Sequence, residues 1–219
     1  MLRPYYYSNL VKSLVMIARI KKKINEKLGF LVDFFIKTNL SPNTFTSLSL
    51  FISLTFPIIV ALARENSLKI LAVSLIFLSG FFDFLDGAIA RRVGRVSKLG
   101  AFLDSTFDRV SDAAYILGLL LAGALDSLEA FIMLVLTYLI SYQRARAEAV
   151  CPGIKLEGKT LLERAERIIL FSIIYILYLI RATFLAQILI YITLFLLLIS
   201  CFLRFSIIIK ELGSSNLNH

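Results

Sequence analysis

Uncharged, apolar runs recur along the chain and set its architecture. Residues 38–63 and 182–203 contain no charge, and each is long enough to cross a hydrocarbon core of about 30 Å, which takes roughly 20 helical residues. Four shorter runs, 70–82, 113–125, 130–143 and 168–180, reach that length only when charged residues at one end of each are counted inside the helix. Those charged ends lie at 83–91, 104–112, 144–148 and 163–167, and they fall alternately at the end and the start of successive helices. All four therefore face one side of the membrane. The pattern predicts an all-α integral membrane fold of six transmembrane helices, at 42–63, 66–92, 97–123, 127–150, 159–180 and 183–210. A basic stretch at 17–40, with Ile, Leu and Phe at near-helical spacing, predicts an amphipathic juxtamembrane helix before them. No internal repeat or second domain interrupts this organisation, so the expectation is a single domain over 1–219, with a juxtamembrane segment at 1–40 and a six-helix core at 41–210.

Composition agrees with a membrane solvent. Of the 219 residues 58% are AVILMFWYC and 18% are charged, with a mean hydropathy of +0.82, far more apolar surface than a water-soluble core needs. The net charge of +9 raises the question of nucleic acid, which the positions of the cations answer. Twenty-one lysines and arginines fall on the shared side and three on the other, so the positive-inside rule places the shared side and both termini in the cytoplasm. The excess charge is then topology and attraction to anionic lipid, and no nucleic-acid partner is expected. The first residues lack the apolar stretch and cleavage site of a signal peptide, so the N-terminus is expected to be kept.

Few residue types remain for chemistry. Cys151 and Cys201 have no paired spacing, and the single histidine is His219. Zinc ligation, a disulfide framework and a Ser-His-Asp triad are thereby disfavoured. Carboxylates are another matter. Asp83 and Asp86 lie three apart and Asp104 and Asp108 four apart on consecutive predicted helices, spacings that put each pair on one helix face. Four ionised aspartates at membrane depth repel one another and pay heavily for lost solvation. A divalent cation removes that repulsion, and an all-oxygen donor set favours Mg²⁺, Mn²⁺ or Ca²⁺, Mg²⁺ typically with substrate phosphates completing its shell. Gly87 and Gly100 leave room for a bulky polar group beside the acids, and Arg91 can clamp a phosphate. Salt bridges of the aspartates to Arg91, Arg92 and Arg109, or an ion path in a membrane cation transporter, are the competing readings.

The full pattern, Asp83-x2-Asp86-Gly87-x2-Ala90-Arg91-x8-Gly100-x3-Asp104-x3-Asp108, resembles the signature of the CDP-alcohol phosphotransferases. The resemblance implies a homodimeric membrane transferase of phospholipid biosynthesis that moves a phosphatidyl-type group from a CDP-linked lipid to an alcohol and releases CMP. It implies two divalent metals held by Asp83, Asp86, Asp104 and in part Asp108, with Asp108 as the general base. It also implies nucleotide contacts at Asn43, Thr44, Phe45, Thr46, Gly87, Arg91 and Ser97, although Ser41-Pro42 alone would pass for an ordinary helix start.

A second, net cationic patch spans residues 141–149, 163–167 and Arg204. Arginines there suit an acceptor that carries a phosphate. The patch resembles the branch that makes phosphatidylinositol phosphate or its archaeal ether-lipid counterpart. By that resemblance Ser141, Arg144, Arg167 and Arg204 bind the acceptor phosphate, while Arg146 and Arg164 divide evenly between structure and substrate. The resulting expectation is transfer from CDP-archaeol or CDP-diacylglycerol to myo-inositol 1-phosphate; glycerol 3-phosphate is the alternative acceptor.

Overall fold

The computed structural model describes residues 29–38, 40–63, 65–94, 97–151, 154 and 162–215. A helix α1, described over 29–36, is followed by α2 (Pro42–Leu62), α3 (Asn66–Val93), α4 (Lys98–Leu121), α5 (Ser127–Val150), α6 (Arg164–Leu179) and α7 (Thr183–Ser215). No strand occurs among the described residues. Most of the amphipathic stretch expected at 17–40, and residues 152, 153 and 155–161 of the segment between α5 and α6, lie outside them.

Three of these helices are long and apolar enough to cross a membrane: Pro42–Leu62, Ser67–Val93 and Thr183–Gly213. α4 and α5 have 24 residues each but carry charges along one end. α6 is shorter than expected, 16 residues beginning at Arg164 rather than at 159. The reason is local: Leu162 is in the left-handed region at φ 52°, a conformation a helix cannot propagate through, and Glu163 then forms a capping box with Glu166.

Two cores hold the bundle. The larger gathers Phe56, Tyr115, Met133, Phe171, Ile174 and Tyr175, all fully buried. The smaller lies towards the carboxylate end and packs Val32 of α1 against Phe45 of α2 and Leu85 and Ile89 of α3. There Phe45 meets Phe35 and Phe82 at ring-centroid distances of 5.6 and 6.2 Å. Asp33 of α1 also pairs with Arg92 of α3 at 2.8 Å.

Hydroxyls lock the α2, α3 and α4 register inside the bundle. Ser49 Oγ donates to the Ser79 carbonyl and Ser79 Oγ to the Ser49 carbonyl, each at 2.9 Å. Tyr115 donates to Ser79 Oγ at 2.8 Å, and Ser53 and Ser111 share a hydrogen bond of 2.8 Å. Small residues at such crossings let helix backbones approach closely, and the hydroxyls bond across the gap.

Candidate active site

Both acid pairs lie on helix faces turned towards each other. α3 carries Asp83 and Asp86; α4 carries Gly100, Asp104, Asp108 and Asp112, each four residues on, a single stripe along one face. One carboxylate oxygen each of Asp83, Asp104 and Asp108 lie within 4.8 Å of one another. Asp86 is buried beside Thr46, and its Oδ2 has no hydrogen-bond partner among the described residues.

A cavity of about 320 Å³ opens beside the acids, large enough for a small-molecule ligand, whose sites run to roughly 300–1,000 Å³. Asp86 and Asp104 form one wall, Asn43 and Thr46 of α2 another, and Gly87, Arg91, Ser97 and Gly100 complete it. Ser97 serves two ends at once, since its Oγ also accepts the Gly100 N–H at 3.0 Å as the N-cap of α4. At Gly100 a side chain would crowd the cavity wall: a Cβ there would stand 3.1 Å from both Asn43 Oδ1 and Ser97 Oγ, which would have to give by a few tenths of an ångström.

Five of the seven expected nucleotide positions therefore line one cavity. Thr44 and Phe45 do not, for a reason of helical geometry. Positions 43 and 46 share a face at i,i+3, which turns Phe45 into the aromatic core and Thr44 outward to Ser41, their hydroxyls 2.9 Å apart.

The cation inside the carboxylate cluster is one that spacing did not reveal. Arg164, from α6, forms ion pairs with both Asp83 and Asp108 through Nη1, the latter at 2.6 Å, although Asp108 Oδ1 accepts no hydrogen bond among the described residues. Arg109 reaches Asp108 only at 3.5 Å, and Arg92 is spent on Asp33. The structure also adds Asp112. It is fully buried and bonds Arg167 Nη2 at 2.6 Å, while Arg167 Nη1 holds the Leu162 carbonyl at 3.1 Å. A fifth aspartate continuing the four-residue spacing into an apolar run was the available signal. Arg204, buried, donates to the Ile140 carbonyl at 3.1 Å and stands 4.0 Å from Glu163. Arg144 pairs with Glu148 at 2.9 Å, and both Arg144 and Arg167 lie within electrostatic reach of Arg204. Ser141 is buried one residue beyond the carbonyl that Arg204 holds.

Residues 39–199 match the family model described as CDP-alcohol phosphatidyltransferase. The chain belongs to this family. It is a metal-dependent CDP-alcohol phosphotransferase of phospholipid biosynthesis, which sets aside the ion-path reading. It is 36% identical over 158 residues to archaetidylinositol phosphate synthase of Pyrococcus horikoshii, covering 72% of this chain and 81% of that one. It also resembles the crystal structure of phosphatidylinositol phosphate synthase from Mycobacterium tuberculosis with CDP-DAG bound, at a TM-score of 0.66 and 26% identity over 82% of this chain and 92% of that one. The same enzyme in complex with manganese and citrate matches at 0.68 and 26%, over 81% and 87%. The donor set here fits such a metal: three clustered carboxylates and a fourth with a buried oxygen that has no hydrogen-bond partner, with no thiol or imidazole beside them, among the described residues.

Proposed function

We propose that the protein transfers the diradylglycerol-phosphate group of a CDP-linked lipid, CDP-archaeol or CDP-diacylglycerol, to myo-inositol 1-phosphate, giving the lipid-inositol phosphate and CMP. One juxtaposition carries the reading. Asp104 belongs both to the cavity wall and to the Asp83–Asp104–Asp108 cluster, and beyond that cluster stand the arginines of α5, α6 and α7. A nucleotide on one side and a phosphorylated alcohol on the other would meet at the carboxylates.

In this reading Asn43, Thr46, Gly87, Arg91 and Ser97 seat the cytidine diphosphate, with Arg91 on its phosphates; Thr44 and Phe45 support that wall from behind. Asp83, Asp86, Asp104 and Asp108 hold two divalent ions, Mg²⁺ or Mn²⁺, whose chemistry is to offset charge on the diphosphate and the departing CMP. Ser141, Arg144, Arg167 and Arg204 attract and orient the acceptor phosphate. The acceptor hydroxyl oxygen attacks the lipid-side phosphorus, the bond from that phosphorus to the CMP oxygen breaks, and Asp108 takes the hydroxyl proton. All 219 residues form one domain, with α2 to α7 as six spans and the site and termini on the cytoplasmic side. Two copies pair as a homodimer.

The test is CMP release by the purified protein with a CDP-lipid and Mg²⁺, offering inositol 1-phosphate, glycerol 3-phosphate, serine or free inositol. Release with inositol 1-phosphate alone is expected. Release with glycerol 3-phosphate instead keeps the catalytic reading and overturns the acceptor.

A further inference from the structure

The carboxylate cluster already contains a cation supplied by the chain. Arg164 is the first residue of α6, a helix that contributes none of the four signature acids, and its Nη1 bridges Asp83 on α3 and Asp108 on α4. A helix N-terminus favours acids, because its unpaired N–H groups carry partial positive charge. Glu163 and Glu166 obey that rule through their capping box; Arg164 breaks it. The facing carboxylates account for its place. With the side chains of Asp83 and Asp108 only 24% and 16% exposed, little water is available to screen their mutual repulsion, and one guanidinium nitrogen shared between them removes it. Arg164 Nε is buried without a hydrogen-bond partner among the described residues, so the side chain is held at its guanidinium tip, against the two carboxylates, rather than along its length.

A divalent ion on Asp83 and Asp108 needs the same oxygens. Mg²⁺ ligands sit about 2.0–2.1 Å from the ion, so an ion between these carboxylates stands where the bridging nitrogen stands. We propose, on the reading of Asp83 and Asp108 as metal ligands, that Arg164 is an exchangeable counter-cation: it neutralises the two acids when no metal is bound, and metal binding displaces it. Metal affinity is then set by a competition inside the protein. The released guanidinium lies three residues from Arg167 on the same helix, beside the cationic cluster.

The experiment is isothermal titration of Mn²⁺ into the full-length protein in detergent, comparing the wild type with Arg164→Gln, Arg164→Lys and Asp83→Asn. Arg164→Gln is expected to bind Mn²⁺ about 10-fold more tightly, close to the lower end of what a hydrogen bond to a charged group contributes. Arg164→Lys, which keeps the charge, stays close to the wild type, and Asp83→Asn binds more weakly. Arg164→Gln should also melt earlier than the wild type in EDTA and regain that loss in Mn²⁺. Unchanged or weaker Mn²⁺ binding by Arg164→Gln, with Asp83→Asn impaired, overturns the counter-cation and leaves the ligand reading standing. Wild-type affinity in Asp83→Asn overturns both. Where Arg164→Gln does not fold, a structure of the wild type with Mn²⁺ decides. Arg164 beyond about 4 Å from both acids, the ordinary limit of an ion pair, supports displacement; contact kept beside a bound ion overturns it.

Discussion

Single side chains divide the site into parts that spacing reveals and parts that it does not. Four aspartates at intervals of three and four on adjacent helices stand out in sequence, since an apolar run tolerates an acid only where something answers its charge. The proposed reading of their joint work gives a sharp prediction: if Asp108 is the base, Asp108→Asn keeps the shape and loses the proton acceptor, so turnover should fall by about 10²–10⁴-fold while CDP-lipid binding, followed by titration, persists. Unimpaired CMP release in that variant would remove Asp108 from the role of base. The partners of the acids were not legible, because they arrive from α6, more than fifty residues away in the chain. Asp112 illustrates the cost of such pairing. Its bond to Arg167 joins side chains that are 0% and 5% exposed, and removing one partner of a buried pair costs about 3–5 kcal/mol because a lone charge remains. Asp112→Ala should therefore lower the melting temperature markedly in detergent, and an unchanged melt would show that the pair does not hold α4 to α6.

Hydropathy places three helices almost to the residue, 42–63 against Pro42–Leu62, 66–92 against Asn66–Val93 and 127–150 against Ser127–Val150, whereas α7 runs to Ser215, five residues past the expected 210. Their ends are marked by strong local signals, Ser41-Pro42 before α2 and the Asp126–Glu129 capping box before α5. α6 starts five residues later than the pattern predicts because a left-handed Leu162 leaves no trace in an apolar pattern. Packing between helices was less legible still. Gly118 of α4 faces Phe56 of α2, and a Cβ on Gly118 would stand 2.1 Å from Phe56 Cε1. In sequence Gly118 is one small residue among many in a span. Gly118→Ala should destabilise by about 1–3 kcal/mol through overpacking. Adding Phe56→Leu should return part of that loss, which thermal unfolding of the single and double variants would measure; equal effects with and without Phe56 would place the clash elsewhere.

The charges of the whole chain and the position of the site are two expressions of one constraint. The acids, the cavity and the arginine cluster lie at the charged ends of α3 to α6, where phosphates can arrive from water while lipid chains remain among the apolar helix faces. The proposed topology puts that end in the cytoplasm on the strength of twenty-one cations against three, and the placement fits the anionic surface a cytoplasmic leaflet presents. Native Cys151, partly accessible at the end of α5, reports on this side directly. The tight connection between α4 and α5 reports on the other, because Ser127 is exposed at the start of α5. A membrane-impermeant maleimide should label Cys151 in inside-out vesicles and not in right-side-out ones. In a Cys151→Ser background, Ser127→Cys should show the reverse pattern. Cys201, buried in α7, should stay unlabelled in both. Labelling of Cys151 and Ser127→Cys from the same side would mean that α5 does not cross. An inverted but opposite pattern would keep six spans and turn the site to the outer face, where a cytoplasmic nucleotide donor could not reach it.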